Sequence, residues 1–312
     1  MESTENQTDD GLNPEHPFVV HRETGKDYML VPSDDKSVQP RALLRLSVFT
    51  PVAPKERGKR DFLIDASEEL STLEIARREG YTKIRIKGAK LNMSTDFKAW
   101  IGIVSAFSKY GFESEKITLS FSEFGRMCGL RPTDLNGRAR ARLKESLFNI
   151  ASVTLAFTTK DGTKNMVSHL VQKAKLDENE DVVELLGDKD LWELYRWDHK
   201  ILLSLKPLSN LARKEAAQAL YVYLESLPSN TGPLFMTMKR FRERLSLDSP
   251  VKTQNQTIRK ALADLEKIGY LEYKEVKKGR EIQFTILARR PNLKVASPKE
   301  KSEENKGDGD EQ

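Results

Sequence analysis

Thr253, Gln254, Asn255, Gln256, Arg259 and Lys260 crowd into one short stretch. An Asn or Gln amide can pair bidentately with adenine, and an Arg guanidinium with guanine, in the major groove of duplex DNA. Just downstream, Lys277, Lys278 and Arg280 surround Gly279, where they could neutralise phosphates, the term that dominates such affinity. A second basic set lies upstream: Arg138, Arg140 and Arg142 in one segment, and Lys160 and Lys164 around Asp161-Gly162. That set has arginines but no amide cluster, so its expected role is phosphate contact more than base contact.

Catalytic constellations are missing from the sequence. Gly25-Lys26 and Gly58-Lys59 lack the upstream glycine and following Ser/Thr of a phosphate-binding loop. His16, His21, His169 and His199 are scattered and offer no metal-ligand spacing. Cys128, the single cysteine, reads as a small buried hydrophobe and excludes disulfide frameworks and cysteine zinc sites. The expectation is a non-enzyme with no cofactor and no metal.

The elements that must carry these residues follow from periodicity. Residues 253–268 repeat Ile258, Ala261, Leu262, Leu265 and Ile268 at helical spacing, leaving the amide-and-cation set on the other face. Before it, 209–227 reads as a helix opening at Ser209-Asn210, and 237–246 as a second helix capped by Thr237. After it, alternation in LEYKEVKKGREIQFTIL predicts a hairpin with the cations at its tip. Three helices and a basic-tipped hairpin are the order of a winged helix, whose third helix enters the major groove.

The same order is expected upstream: helices over 96–111, 120–128 and 136–152, a short strand at 117–119, then a hairpin about Lys160–Lys164. A strand near 181–185 is expected to join that hairpin's sheet. Strand signals at 83–87 and 199–205 and helical ones at 67–79 and 188–197 flank this unit, 41–49 reads as a strand or a short helix, and 51–60 reads as an exposed loop. Trp192, Tyr195 and Trp197 read as a packing cluster at the junction of the two domains.

Charge supports the division. The chain of 312 residues carries +5 overall, but residues 1–36 hold three basic and nine acidic residues, while 206–290 hold 17 basic and nine acidic. Basic folded parts with acidic ends suggest a polyanionic partner. No apolar run approaches a membrane span, and the polar, acidic start is unlike a secretory signal. The fold class expected is α+β: two tandem winged-helix domains, 37–205 and 206–292, between disordered acidic tails at 1–36 and 293–312. The bacterial cytoplasm is the expected location.

Several runs, among them VQPRALLRLSVFTP, DFKAWIGIVSAFSKYG, KEAAQALYVYLESLP and SPVKTQNQTIRKALADLEKIGYLEY, carry a resemblance. Over about residues 38–292 the chain resembles the Rep family of iteron-binding plasmid replication initiators, most closely those of the RepFIB type. The resemblance implies binding to direct repeats, the iterons, at a plasmid origin. It further implies a monomer–dimer equilibrium, repression of the initiator's own promoter, control of copy number, and host initiator, helicase and chaperone partners. It places the main base contacts on Gln254, Asn255, Gln256, Arg259 and Lys260. It places Arg138, Arg140 and Arg142 on the third helix of a first domain that also serves as the dimer surface. Two other readings remain beside it: a dedicated transcriptional repressor with two winged helices, and a scaffold using winged helices for protein contacts.

Overall fold

The computed structural model describes residues 16–20, 27–53 and 56–290, apart from 58, 60–61, 71–75, 78–79, 113–115, 178, 190–191, 193–194, 196–198, 229–231 and 280. The chain opens with β1 (Val19–Val20), β2 (Tyr28–Met29) and β3 (Lys36–Pro40), then α1 (Arg41–Arg45) and β4 (Phe49–Thr50). Next come β5 (Phe62–Asp65), α2 (Ser67–Leu70), β6 (Tyr81–Gly88) and β7 (Leu91–Asn92). The first helical unit is α3 (Asp96–Tyr110), β8 (Ile117–Ser120), α4 (Phe121–Met127) and α5 (Gly137–Ala151). Two hairpins follow, β9 (Thr154–Thr159) with β10 (Asn165–His169) and β11 (Lys173–Asp177) with β12 (Val182–Leu186). After β13 (Lys200–Ser204), the second unit comprises α6 (Lys206–Asn210), α7 (Glu215–Ser226), β14 (Leu234–Thr237), α8 (Met238–Leu245), α9 (Val251–Lys267), β15 (Leu271–Lys278) and β16 (Glu281–Arg289).

The helical periodicity places α3 at the centre of the first core. Phe97, Trp100, Ile103, Val104 and Phe107 are all buried, as are Leu143, Leu147 and Ile150 on α5. Gly102 on α3 faces Cys128 so closely that a Cβ there would lie 2.4 Å from its sulfur. Burial pushes that thiol's pKa up, which leaves it protonated and inert. Trp192 and Tyr195 are buried too, Trp192 against Phe107 and Phe112 with ring centroids 4.8 Å apart in both pairs; Trp197 lies outside the described residues. In the second core Ile258, Leu262 and Leu265 of α9 pack with Phe241, Phe284 and Tyr221. Tyr270 donates its hydroxyl hydrogen to buried Glu225 at 2.8 Å.

Four expectations need correction. The stretch 1–36 is not tail throughout: Phe18, Val19 and Leu30 are buried, and Phe18 meets the rings of Phe112 and Tyr195. Its acidic count masks two short apolar runs that have a core to join. Residues 1–15 and 291–312 lie outside the described residues, as does most of 71–79. The helix expected over 209–227 is two. Pro207 seeds α6 near its start, and Arg213 adopts a left-handed φ of 64° before α7 begins. In the expected loop 51–60, Val52 is buried and donates its backbone N–H to Glu215 on α7 at 3.1 Å.

The fourth correction concerns topology. In the second unit the strand between the first two long helices joins the hairpin, in the order β14-β16-β15. In the first unit the corresponding strand β8 joins β12 and β11, giving β8-β12-β11, while β9 and β10 belong to a separate sheet ordered β10-β9-β6-β5. The strand expected near 181–185 therefore does not extend the Lys160–Lys164 hairpin. It forms a hairpin of its own, in the place that β16 occupies downstream.

Candidate nucleic-acid interface

In the second unit, Thr237 caps α8 by accepting the Arg240 N–H at 3.1 Å. Ser246 then turns the chain with a left-handed φ of 44°, and α9 starts behind Pro250. Gln254, expected to face bases, spends its amide on this turn: it donates to Leu247 O at 2.8 Å and Ser249 O at 2.6 Å. The Asn255 carbonyl accepts from Arg242 of α8 at 3.0 Å. Arg259 forks onto the Glu275 carboxylate of β15, with Nη2 2.8 Å from Oε1 and Nε 3.0 Å from Oε2. These three side chains are half-buried rather than core, but each already has a partner in the protein. Thr253, Gln256 and Lys260 are exposed, and Lys252 beside them was not singled out by the sequence. Lys252, Gln256 and Lys260 stand four residues apart on one face. That spacing was the signal that could have found Lys252.

Lys277 and Lys278 are exposed at the end of β15, across from Ile282 and Glu281, and Gly279 turns with a φ of 63°. Arg280 lies outside the described residues. On α8, exposed Lys239 and Arg240 add positive charge.

The first unit is built differently. Asn136 caps α5 by accepting the Ala139 N–H at 3.1 Å. Arg138 and Arg142, one helical turn apart, are exposed. Arg140 is not available in the same way: it sits over the Phe121 ring at 4.2 Å and pairs with Asp181 at 2.6 Å. Asp181 belongs to the β11–β12 turn, whose residues Asp177, Asn179, Glu180 and Asp181 are acidic or neutral. Lys160 and Lys164 are exposed, but on the tip of the other hairpin, where Asp161 accepts from Thr159 and Thr163 and has its pKa lowered to about 2 by those bonds. The structure thus separates the upstream arginines from the upstream lysines.

The two units share one apolar core, and polar contacts join them as well at the α8 C-terminus. Ser47 donates to Arg244 O at 2.8 Å, Arg244 Nη2 donates to Leu44 O at 3.0 Å, and Lys90 Nζ reaches Ser246 O at 2.7 Å and Asp248 at 2.8 Å. A lysine and a hydroxyl here satisfy carbonyls that a helix end leaves open. Among the described residues no three of His, Cys, Asp and Glu gather to hold a metal, and no helix is long and apolar enough to cross a membrane.

The fold pairs two helix-and-hairpin units, each with a basic third helix. The chain belongs to the Rep3_N family, described as initiator replication protein, whose first-domain model (WH1) matches residues 63–225. It is 44% identical over 284 residues to Replication protein RepA of Salmonella typhi, covering 90% of this chain and 80% of that one. It is 42% identical over 291 residues to RepFIB replication protein A of Escherichia coli K12, covering 92% and 88%. A crystal structure of domains 2 and 3 of RctB shares the fold, with a TM-score of 0.51 and 14% identity over 77% of this chain and 94% of that one.

Proposed function

We propose that this plasmid replication initiator acts by binding iteron repeats in duplex DNA at its origin, as a pair of winged helices and without catalysis. The observation that carries the reading is the exposed ridge Lys252–Thr253–Gln256–Lys260 of α9, followed by Lys277 and Lys278 on the hairpin. The ridge reads base edges, and the hairpin and α8 grip phosphates. Gln254, Asn255 and Arg259 act one step back, holding the turn, α8 and the hairpin in register with that ridge. In the first unit Arg138 and Arg142 contact phosphates, while the wing position is taken by the acidic β11–β12 turn and does not.

On this reading the protein works in the bacterial cytoplasm, and occupancy of origin repeats controls copy number. Binding at its own promoter represses its synthesis, a monomer–dimer equilibrium partitions the two roles, and host initiator, helicase and chaperones are its partners. Footprinting of the purified protein on its plasmid origin tests it. Protection of direct repeats is the expected result. Protection of the promoter alone, with an origin that replicates in the absence of this chain, would replace it with the dedicated repressor.

A further inference from the structure

A groove of about 530 Å³ is bordered by Lys200, Ile201 and Leu202 of β13 and by the run from Ile286 to Arg290 that ends β16. Side chains alternate along a strand, so a run of consecutive residues beside a groove presents the edge of that strand and not one face. Both edges are open among the described residues. β13 pairs only with β3, and β14 covers β16 no further along than Ile286. Leu30, Leu227 and Leu234 add apolar lining. The end of β16 is pinned here. Arg289 donates to Leu227 O at 3.1 Å, and Arg290 pairs with buried Glu225 and turns with a left-handed φ of 63°. Next in sequence come Pro291, Asn292, Leu293, Lys294, Val295, Ala296, Ser297 and Pro298. Leu293 and Val295 alternate with polar neighbours between two prolines, the pattern of a short edge strand.

We propose that residues 292–296 dock in this groove as an added strand, with Leu293 and Val295 against its apolar lining, and so strap the end of the second unit to β13. The open edges gain backbone hydrogen bonds, and the lining leucines are covered. The tail expected at 293–312 then begins only at Ser297. Where the segment starts is the reason it is the occupant. Five residues beyond Arg290 reach about 17 Å at about 3.4 Å each, and a short tether holds a segment at roughly millimolar effective concentration. A second copy of the chain or a separate peptide has to bind without that advantage. The proposal goes beyond the DNA reading above and does not depend on it.

The test places two cysteines in the full chain, Ile201→Cys with Val295→Cys, and oxidises it mildly. Ile201→Cys with Gly307→Cys is the control, and buried Cys128 stays out of the exchange. A disulfide forms only where two Cα atoms come within about 7 Å. The expected result is a bond within one chain for the first pair, formed faster than in the control. Equal rates in the two pairs overturn the proposal, and so does a bond between two chains, which would give the groove to a second copy. A further measurement leaves β13 unaltered. In the full chain carrying Leu293→Asp with Val295→Asp, amides along 200–204 and 287–289 should exchange hydrogen about fivefold faster than in the unaltered chain, the loss of about one hydrogen bond's net worth. Unchanged protection along both edges overturns the proposal as well.

Discussion

Arg259 shows how a residue can be right in type and different in use. Its guanidinium lies flat against Glu275 on β15, and two nitrogens are committed to the carboxylate. An exposed ion pair of this kind adds little stability, but its forked geometry fixes the angle between α9 and the hairpin. Arg259→Ala should weaken specific binding by about 1–3 kcal/mol if the side chain still reaches a base or aligns one that does. Titrations against origin and random duplexes check this, and equal losses on both would assign Arg259 to phosphate. Asp96 is a different case. It is buried at the start of α3, accepts from the Asn92 backbone and amide at 2.8 and 2.7 Å, and has its pKa raised to about 6, first of all by burial. The folded state therefore holds this proton more tightly than the unfolded one, whose value is near 3.8. Its contribution is full below pH 4 and is lost as pH rises through about 6, a change of about 2–3 kcal/mol at most. Urea melts of Asp96→Asn against the unaltered chain should show a stability difference that varies over that window and is constant above it.

At the scale of elements, Gln254 links the turn to the helix that follows it. Gln254→Ala frees two carbonyls and should cost about 1–2 kcal/mol of stability, measured by denaturant melts; a loss of DNA affinity at full stability would instead make its amide a direct contact. The helices were legible because their signals are local. Ile258, Ala261, Leu262 and Leu265 mark the buried stripe of α9, Thr237 caps α8, and Asn136 caps α5. Strand partners were not legible, because alternation says which face a strand buries and not which strand lies beside it. So the β9–β10 hairpin, which has the right charges for a wing, sits in another sheet, and the acidic β11–β12 hairpin takes the corresponding place. The candidate site divided along the same line. Residue types on one helix face could be read, but the consumption of Gln254, Asn255, Arg259 and Arg140 by Leu247, Arg242, Glu275 and Asp181 depends on neighbours distant in sequence or on another element.

At the scale of the whole molecule, the α8–α9 turn is held from two sides, by Gln254 within its own unit and by Lys90 from the other. These polar contacts add to one apolar core that runs through both units. Lys90→Met removes the cation from the α8 C-terminus, and denaturant melts should then show about 0.5–1 kcal/mol less stability; an unchanged midpoint would mean that this contact adds nothing. In the proposed binding mode α9 faces the bases. Its most direct test is the affinity of the chain and of its Gln256→Ala form for a panel of origin duplexes, each changed at one base pair. The unaltered chain should discriminate at a contiguous set of positions, and Gln256→Ala should erase discrimination at one of them while preserving the others. A uniform loss across the panel, or none at any position, would contradict it.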